Sequence, residues 1–159
     1  MSGQMSVSTQ TALLRAAAVL WVIWGLVHAF AGIMVLSSDA TGGVQAIADG
    51  VAPETLALDY PAAAGGILNQ HGWNLAWFGV VTIVGAVFIW RASITAIWVT
   101  GMVGGLADVG YLLFVDLPGY VNFFPGTVMT FISGLAIILS FSVWLFGRRA
   151  AAGAPVGEG

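Results

Sequence analysis

Two ionisable side chains, His28 and Asp108, each stand inside a long apolar stretch of the sequence. An ionised group at the centre of a bilayer costs about 2.5–3.5 kcal/mol on the insertion scale, so such residues usually face the interior of a helical bundle and mark a functional site. An imidazole and a carboxylate can act together as a general acid and base, or they can orient a hydroxyl or carbonyl group of a ligand. These two residues are therefore the first candidates for chemistry.

Four further polar residues stand at comparable depths in the apolar stretches. With a helical rise of about 1.5 Å per residue, counted from the nearest Arg in the sequence, His28 lies about 20 Å and Asp108 about 25 Å along their helices. The same count gives about 30 Å for His71. We therefore predict one polar, ligand-binding cluster near one end of a bundle. Its candidate members are His28, His71, Asn74, Asp108, Tyr111 and Thr130.

The composition shows that a membrane must surround such a cluster. The chain of 159 residues is 59% hydrophobic and only 7% charged, whereas a soluble domain has roughly 25% charged residues. A membrane-spanning helix needs about 20 predominantly apolar residues, and several stretches of the sequence meet that length. The chain is therefore predicted to be a single membrane domain over 1–159, an all-α bundle of four transmembrane helices. The predicted spans are 16–36, 73–90, 93–115 and 123–146.

The charged residues predict the orientation of this bundle. All four basic residues are arginines, at positions 15, 91, 148 and 149, and they fall at one end of the predicted bundle. Segment 37–72, at the other end, holds carboxylates and no basic residue. By the positive-inside rule both termini are expected in the cytoplasm, and the chain is expected to be a multi-pass protein of the cell's inner (plasma) membrane. The polar cluster then faces outward.

Segment 37–72 is predicted to be the outer loop of the bundle. Apolar residues recur at helical spacing between Val44 and Val51, which predicts a short amphipathic helix in this loop. That helix would serve either as a structural cap or as a lid over the polar cluster. The Gly- and Ala-rich segment 150–159 is expected to be a flexible tail.

Small residues predict how the spans pack. Lipid gives helices no hydrophobic reason to associate, so faces of Gly, Ala and Thr allow the close approach that holds a bundle together. Gly101 and Gly105 provide such a face in the third span, and Gly126, Thr130 and Gly134 provide one in the fourth. These faces suit either a single bundle or a homodimer, and the sequence leaves both open.

The cluster favours a binding site for a lipid-like or other hydrophobic small molecule that enters from the outer leaflet. A mostly apolar pocket with a few convergent polar groups is typical of such sites. No spacing motif identifies a reaction class, so the question of an enzyme stays open, and neither a catalytic residue nor a cofactor is assigned. Membrane lipid is the expected surrounding partner.

Three other interpretations also stand. The chain would be a non-catalytic accessory or assembly subunit of a larger membrane complex if its glycine faces were docking surfaces. His28, His71 and Asp108 would form a metal or haem site, since imidazole and carboxylate groups bind Zn, Fe or Cu. A dimer would transport a substrate with Asp108 as the proton-coupling carboxylate. With four basic residues and a net charge of -3, no nucleic-acid partner is expected.

Overall fold

The computed structural model describes residues 5–152, with side chains up to residue 146. This part of the chain is helical without any β-strand, and it confirms the predicted all-α fold with four helices long and apolar enough to span a membrane. Residues 153–159, most of the predicted flexible tail 150–159, lie outside the described residues. The helices are α1 (Val7–Leu36), α2 (Ala40–Ile47), α3 (Pro53–Leu56), α4 (Ala62–Trp90), α5 (Ile94–Tyr111) and α6 (Val128–Ala152).

Two π-helical turns border the connection between the third and fourth spans. The first, Leu112–Asp116, extends α5, and the second, Phe123–Thr127, precedes α6. With these turns included, the third span runs over Ile94–Asp116 and the fourth over Phe123–Phe146. A π-helical turn closes hydrogen bonds between residues five apart, and proteins use such turns frequently at functional sites.

Two ends of the bundle differ in charge. The arginine end is where α4 ends and α5 begins. There the guanidinium carbon of Arg15 lies 5.0 Å from the ring centroid of Trp90, and Arg91 caps α4. The loop end is where α1 ends and α4 begins, and it also holds the connection between α5 and α6. Carboxylates, including Asp49 and Asp116, are concentrated at the loop end.

Capping side chains determine where the helices begin. Ser6 accepts a hydrogen bond from the backbone N–H of Thr9 before α1, and Ser93 accepts one from Ala96 before α5. These bonds satisfy N–H groups that have no partner inside the helix. Pro61 precedes α4 with extended backbone angles. Because proline has no backbone N–H, it leaves no donor without a partner at the start of the helix.

The spanning helices are longer than the spans that hydropathy predicts. α1 begins at Val7 rather than at residue 16, and α4 begins at Ala62 rather than at residue 73. Hydropathy identifies the part of a helix that lipid covers, whereas the helix itself continues until its backbone is capped or interrupted. His71 therefore lies inside α4, about two and a half turns from its start.

α1 and α4 pack antiparallel along a seam of glycines. A Cβ atom at Gly25 would lie 2.6 Å from the carbonyl oxygen of Gly79, and one at Gly32 would lie 2.5 Å from that of Gly72. Gly32 lies seven residues after Gly25 in α1, and Gly72 lies seven residues before Gly79 in α4. The same contact therefore repeats after two helical turns. The backbones touch with no side chain between them, which is how small residues hold membrane helices together.

The glycines of the third and fourth spans have different surroundings. A Cβ atom at Gly101 would lie 3.0 Å from the ring of Phe141 in α6, and one at Gly104 would meet the ring of Trp21 in α1. Both positions therefore pack inside the bundle. Gly134 in α6 has no described atom within 4 Å of its Cβ position, so the face it belongs to stays open.

The outer loop folds back over the loop end of the bundle. α2 packs against both α1 and α4. Beyond it, a carboxylate oxygen of Asp49 accepts a hydrogen bond from the backbone N–H of Asn122 at 2.8 Å. The N–H of Gly50 donates to the carbonyl oxygen of Tyr120 at 2.9 Å. These bonds join the loop to the connection between α5 and α6, so α2 covers the end of the bundle.

Gly79→Ala is expected to destabilise the bundle, because the added methyl group would collide with the backbone of α1 at Gly25 and Ala29. Overpacking of this kind costs about 1–3 kcal/mol, so the apparent melting temperature in detergent should fall. Size-exclusion chromatography after heating would measure it. Gly134→Ala is the matched control, since nothing lies within 4 Å of its Cβ position. Equal melting temperatures for the two variants would contradict the seam.

Candidate ligand-binding site

The carboxyl group of Asp108 is buried and is held by a tryptophan from another helix. Asp108 in α5 is only 4% exposed, and its Oδ2 atom accepts a hydrogen bond from Nε1 of Trp24 in α1 at 2.7 Å. Trp24 is fully buried. The bond therefore satisfies polar groups that are almost completely buried. This bond joins the first span to the third.

His28 lies one turn after Trp24 and faces the same carboxyl group. Its Nδ1 atom is 2.9 Å from the carbonyl oxygen of Trp24, and its Nε2 atom is 3.7 Å from Oδ1 of Asp108. A carbonyl only accepts, so Nδ1 carries a hydrogen. The distance between Nε2 and Oδ1 exceeds that of a hydrogen bond, so the imidazole faces the carboxyl group without bonding to it directly.

Aromatic rings fix the orientation of the imidazole. The rings of Trp24 and His28 are stacked, with centroids 3.6 Å apart and planes 17° from parallel. Trp21 meets Trp24 edge to face at 5.7 Å, and the absence of a side chain at Gly104 leaves room for the Trp21 ring. Because both tryptophans are fully buried, the imidazole has a rigid wall on one side.

A cavity of about 320 Å³ adjoins this group at the loop end of the bundle. Small-molecule sites commonly measure about 300–1,000 Å³ and are mostly apolar, with a few polar groups that fix orientation. His28 and Asp108 form part of its wall, together with His71 from α4 and Tyr111 from α5. Most of the other lining side chains are apolar. They include Val27, Phe30, Ala31, Met34, Leu75 and Met129.

The outer loop forms one boundary of the cavity and the lipid-facing surface forms another. Gln45 and Asp49 of the loop line it, so α2 and the residues after it act as a roof. Phe30 and Met34 also line it and are 64% and 45% exposed, which places its opening on the surface that meets lipid.

Four of the six sequence-predicted site residues lie together at this cavity: His28, His71, Asp108 and Tyr111. The other two do not line it. Asn74 accepts a hydrogen bond from Nε1 of Trp77 at 3.1 Å on the exposed side of α4. The hydroxyl of Thr130 is buried in α6 and has no hydrogen-bond partner among the described residues.

Sequence reasoning missed Trp24. Tryptophan in membrane proteins is enriched at the lipid–water boundary, and the chain has seven of them, so an interfacial role is the ordinary expectation. The available signal was the spacing between Trp24 and His28, because residues four apart in a helix lie on one face. Asp49 was also missed as a site residue, since a loop carboxylate gives no sign of facing a cavity.

The metal alternative is not supported by the structure. Within residues 5–146, no three His, Asp or Glu side chains form a group that could hold a metal ion. His71 lines the same cavity as His28 and Asp108 but does not join them in such a group. The Nδ1 atom of His28 bonds to the carbonyl oxygen of Trp24, and its Nε2 atom lies 3.7 Å from Oδ1 of Asp108.

Comparisons of the chain with protein-family models, with curated proteins and with solved structures found no match. The geometry of the cavity therefore carries the functional interpretation. Its distinguishing features are a buried carboxyl group, an oriented imidazole and an apolar wall open to lipid.

Trp24→Phe is expected to destabilise the protein, because the smaller phenyl ring has no N–H and the hydrogen bond to the buried carboxyl group of Asp108 is lost. Leaving such a buried partner unsatisfied costs about 1–3 kcal/mol. Thermal unfolding followed by circular dichroism in detergent would measure the loss. Trp73→Phe, at a site 63% exposed, is the control and should unfold like the unmodified protein. An unchanged melting temperature for Trp24→Phe would be evidence against the bond.

Proposed function

We propose that this protein binds a lipid-like or other hydrophobic small molecule, with the polar group of that molecule at the His28–Asp108 pair. The observation that carries the proposal is that polar side chains from different helices converge on one cavity. Polar side chains from α1, α4 and α5 meet at one cavity whose wall is otherwise mostly apolar. An apolar wall favours a hydrocarbon body, and a few polar groups at one place orient a single polar end.

The polar groups at the cavity are suited to a ligand that forms hydrogen bonds. Tyr111 offers a hydroxyl that both donates and accepts, and His71 offers a ring nitrogen of each kind when neutral. Neither side chain makes a hydrogen bond within the described part of the chain. A bound molecule would supply the partners that the protein itself does not.

A second candidate function is a non-catalytic accessory or assembly subunit in a homodimer or a larger membrane complex. The observation that favours it is the open glycine face at Gly134, where no described atom lies within 4 Å of the Cβ position. Close helix approach at such a face is a common means of association in membranes. Native mass spectrometry of the gently extracted protein separates the two functions, because a small added mass supports a ligand and a protein-sized one supports a subunit.

We also propose that the arginine end of the bundle faces the cytoplasm and that the protein resides in the inner (plasma) membrane. Arg15 and Arg91 at that end satisfy the positive-inside rule in this orientation. The cavity, at the opposite end, then opens to the outer leaflet.

Photolabelling tests the proposed binding site. A long-chain alcohol that carries a diazirine is expected to label the cavity-lining part of α1, residues 27–34, and Met129 when the protein is in phosphatidylcholine nanodiscs. Peptide mass spectrometry locates the label. Val27→Phe fills part of the cavity and should reduce this labelling severalfold. Val109→Phe is the matched control, since Val109 is 50% exposed on α5 and does not line the cavity.

The outcome that overturns the proposed function is labelling spread evenly over the lipid-facing surface, with no difference between the two Phe variants. A reduction in both variants would also count against the cavity, because Val109 lies outside it. Chromatographic profiles of both variants show whether each remains folded.

Cysteine labelling tests the orientation, since the chain has no native cysteine. Ala57→Cys, after α3 in the outer loop, is expected to react with a membrane-impermeant maleimide in intact cells. Ser8→Cys, in the first turn of α1, should react only after the cells are permeabilised. The reverse pattern would contradict the proposed orientation.

A further inference from the structure

We infer that the arginine end of the bundle binds an anionic phospholipid, with an acyl chain in a groove between α1 and α4 and the phosphate at Arg15 and Arg91. This arginine-end groove has a volume of about 480 Å³. It shares no lining residue with the cavity at the loop end. The inference therefore stands independently of the proposed function.

The groove lies beyond the last glycine pair of the seam between α1 and α4. The register that pairs Gly25 with Gly79 places Ala18 opposite Ala86, seven residues further toward the arginine end. Both alanines are buried and line the groove. Their methyl groups stand where the glycines let the two backbones touch, so the helices are held further apart and a groove opens above the alanines.

The walls of the groove are apolar and face lipid. Val19 and Val87, one from each helix, line it and are about half exposed. Ile23 also lines it and lies eight residues after Arg15, so the groove reaches about 12 Å along α1 from that arginine. Val22 and Trp90 complete the walls. A surface of this composition and length suits a hydrocarbon chain.

Two guanidinium groups stand at one end of this groove. Arg91 lines it directly. The guanidinium carbon of Arg15 lies 5.0 Å from the ring centroid of Trp90, which is the neighbour of Arg91 in the chain. This cation–π contact between α1 and α4 positions Arg15 beside the groove. A guanidinium group presents five N–H donors in a planar fork that matches the oxygens of a phosphate.

Neither guanidinium group has an anionic partner within the described part of the chain. Over residues 5–146, the side chains of Arg15 and Arg91 form no ion pair and no hydrogen bond. The carboxylates of this range lie in the outer loop, inside the bundle at Asp108, or after α5 at Asp116. A phosphate would supply the missing acceptors, and basic pockets between transmembrane helices bind lipid headgroups in this way.

The same distribution of charge favours an anionic headgroup over a zwitterionic one. Phosphatidylcholine brings a quaternary ammonium group together with its phosphate, and that cation would approach two arginines with no described carboxylate nearby. Repulsion between like charges opposes this arrangement. Phosphatidylglycerol presents the phosphate without a cation, and its acyl chain fills the groove that a free phosphate would leave empty.

Native mass spectrometry of the full chain in detergent tests this inference. Dioleoyl phosphatidylglycerol and dioleoyl phosphatidylcholine, titrated separately, have identical acyl chains and differ only in the headgroup. Phosphatidylglycerol is expected to bind about fivefold more tightly, as judged from the fraction of protein that carries one lipid. Equal binding of the two lipids would overturn the inference.

A pair of variants assigns the headgroup preference to the groove. Arg91→Gln removes one guanidinium group and should weaken phosphatidylglycerol binding about fivefold while phosphatidylcholine binding changes little. Ser8→Asp is the matched control, because it alters the net charge by the same amount at an exposed position of α1 outside the groove. An equal loss in both variants would mean that the lipid responds to overall charge, and it would overturn the site.

A second pair tests the place of the acyl chain. Val87→Phe puts a larger side chain into the groove and keeps both arginines, so phosphatidylglycerol binding should weaken several-fold. Val80→Phe is its control, since Val80 is 54% exposed on the same helix and does not line the groove. Equal melting temperatures for the two variants show that both remain folded. Undiminished binding by Val87→Phe, or displacement of the lipid by an equal concentration of inorganic phosphate, would contradict a lipid held by its acyl chain.

Discussion

A carboxyl group buried inside a membrane protein must find its hydrogen-bond partners within the protein, and the arrangement of this bundle follows from that constraint. Asp108 in the third span accepts a hydrogen bond from Trp24 in the first, so the two spans must approach closely at this depth. Gly104, one turn before Asp108, makes the approach possible because the ring of Trp21 occupies the space of its missing side chain. The stacked imidazole of His28 then lies against the same carboxyl group. The polar groups that would be costly to expose to lipid are thus collected at one position inside the bundle.

The cavity lies where this polar group meets the loop end of the bundle. Its wall changes in character from the apolar side chains of α1 and α6 to the polar groups near the outer loop. A molecule with one polar end has a single favourable orientation in such a space, since the reverse orientation would bury its polar end among apolar side chains. The outer loop closes the polar side through the bonds of Asp49 and Gly50 to the connection between α5 and α6. Lipid borders the apolar side.

Hydropathy was sufficient to predict the four spans, because the cost of burying charge in lipid leaves long apolar stretches that nothing else in a protein resembles. Depth along those stretches also placed His28, Asp108, His71 and Tyr111 near one another, since a helix has a constant rise. Rotation about the helix axis was harder to predict. Asn74 and Thr130 have the right depth, but Asn74 bonds to its own helix neighbour Trp77, and Thr130 does not line the cavity. The sequence did not predict Gly72 and Gly79 as a packing face, because their role depends on complementary glycines in α1.

The glycine seam divides the bundle into a stiff part and a compliant part. Backbones in direct contact at Gly25 with Gly79 and at Gly32 with Gly72 cannot slide or rotate past each other without separating, so α1 and α4 behave mechanically as one unit. The walls that this unit contributes, including His28 and His71, keep a constant spacing. Any change in the volume of the cavity must therefore come from the walls formed by the third and fourth spans. There Tyr111 directly precedes one π-helical turn and Gly126 lies within the other. A change in cavity volume thus requires displacement of the third and fourth spans relative to the first and second.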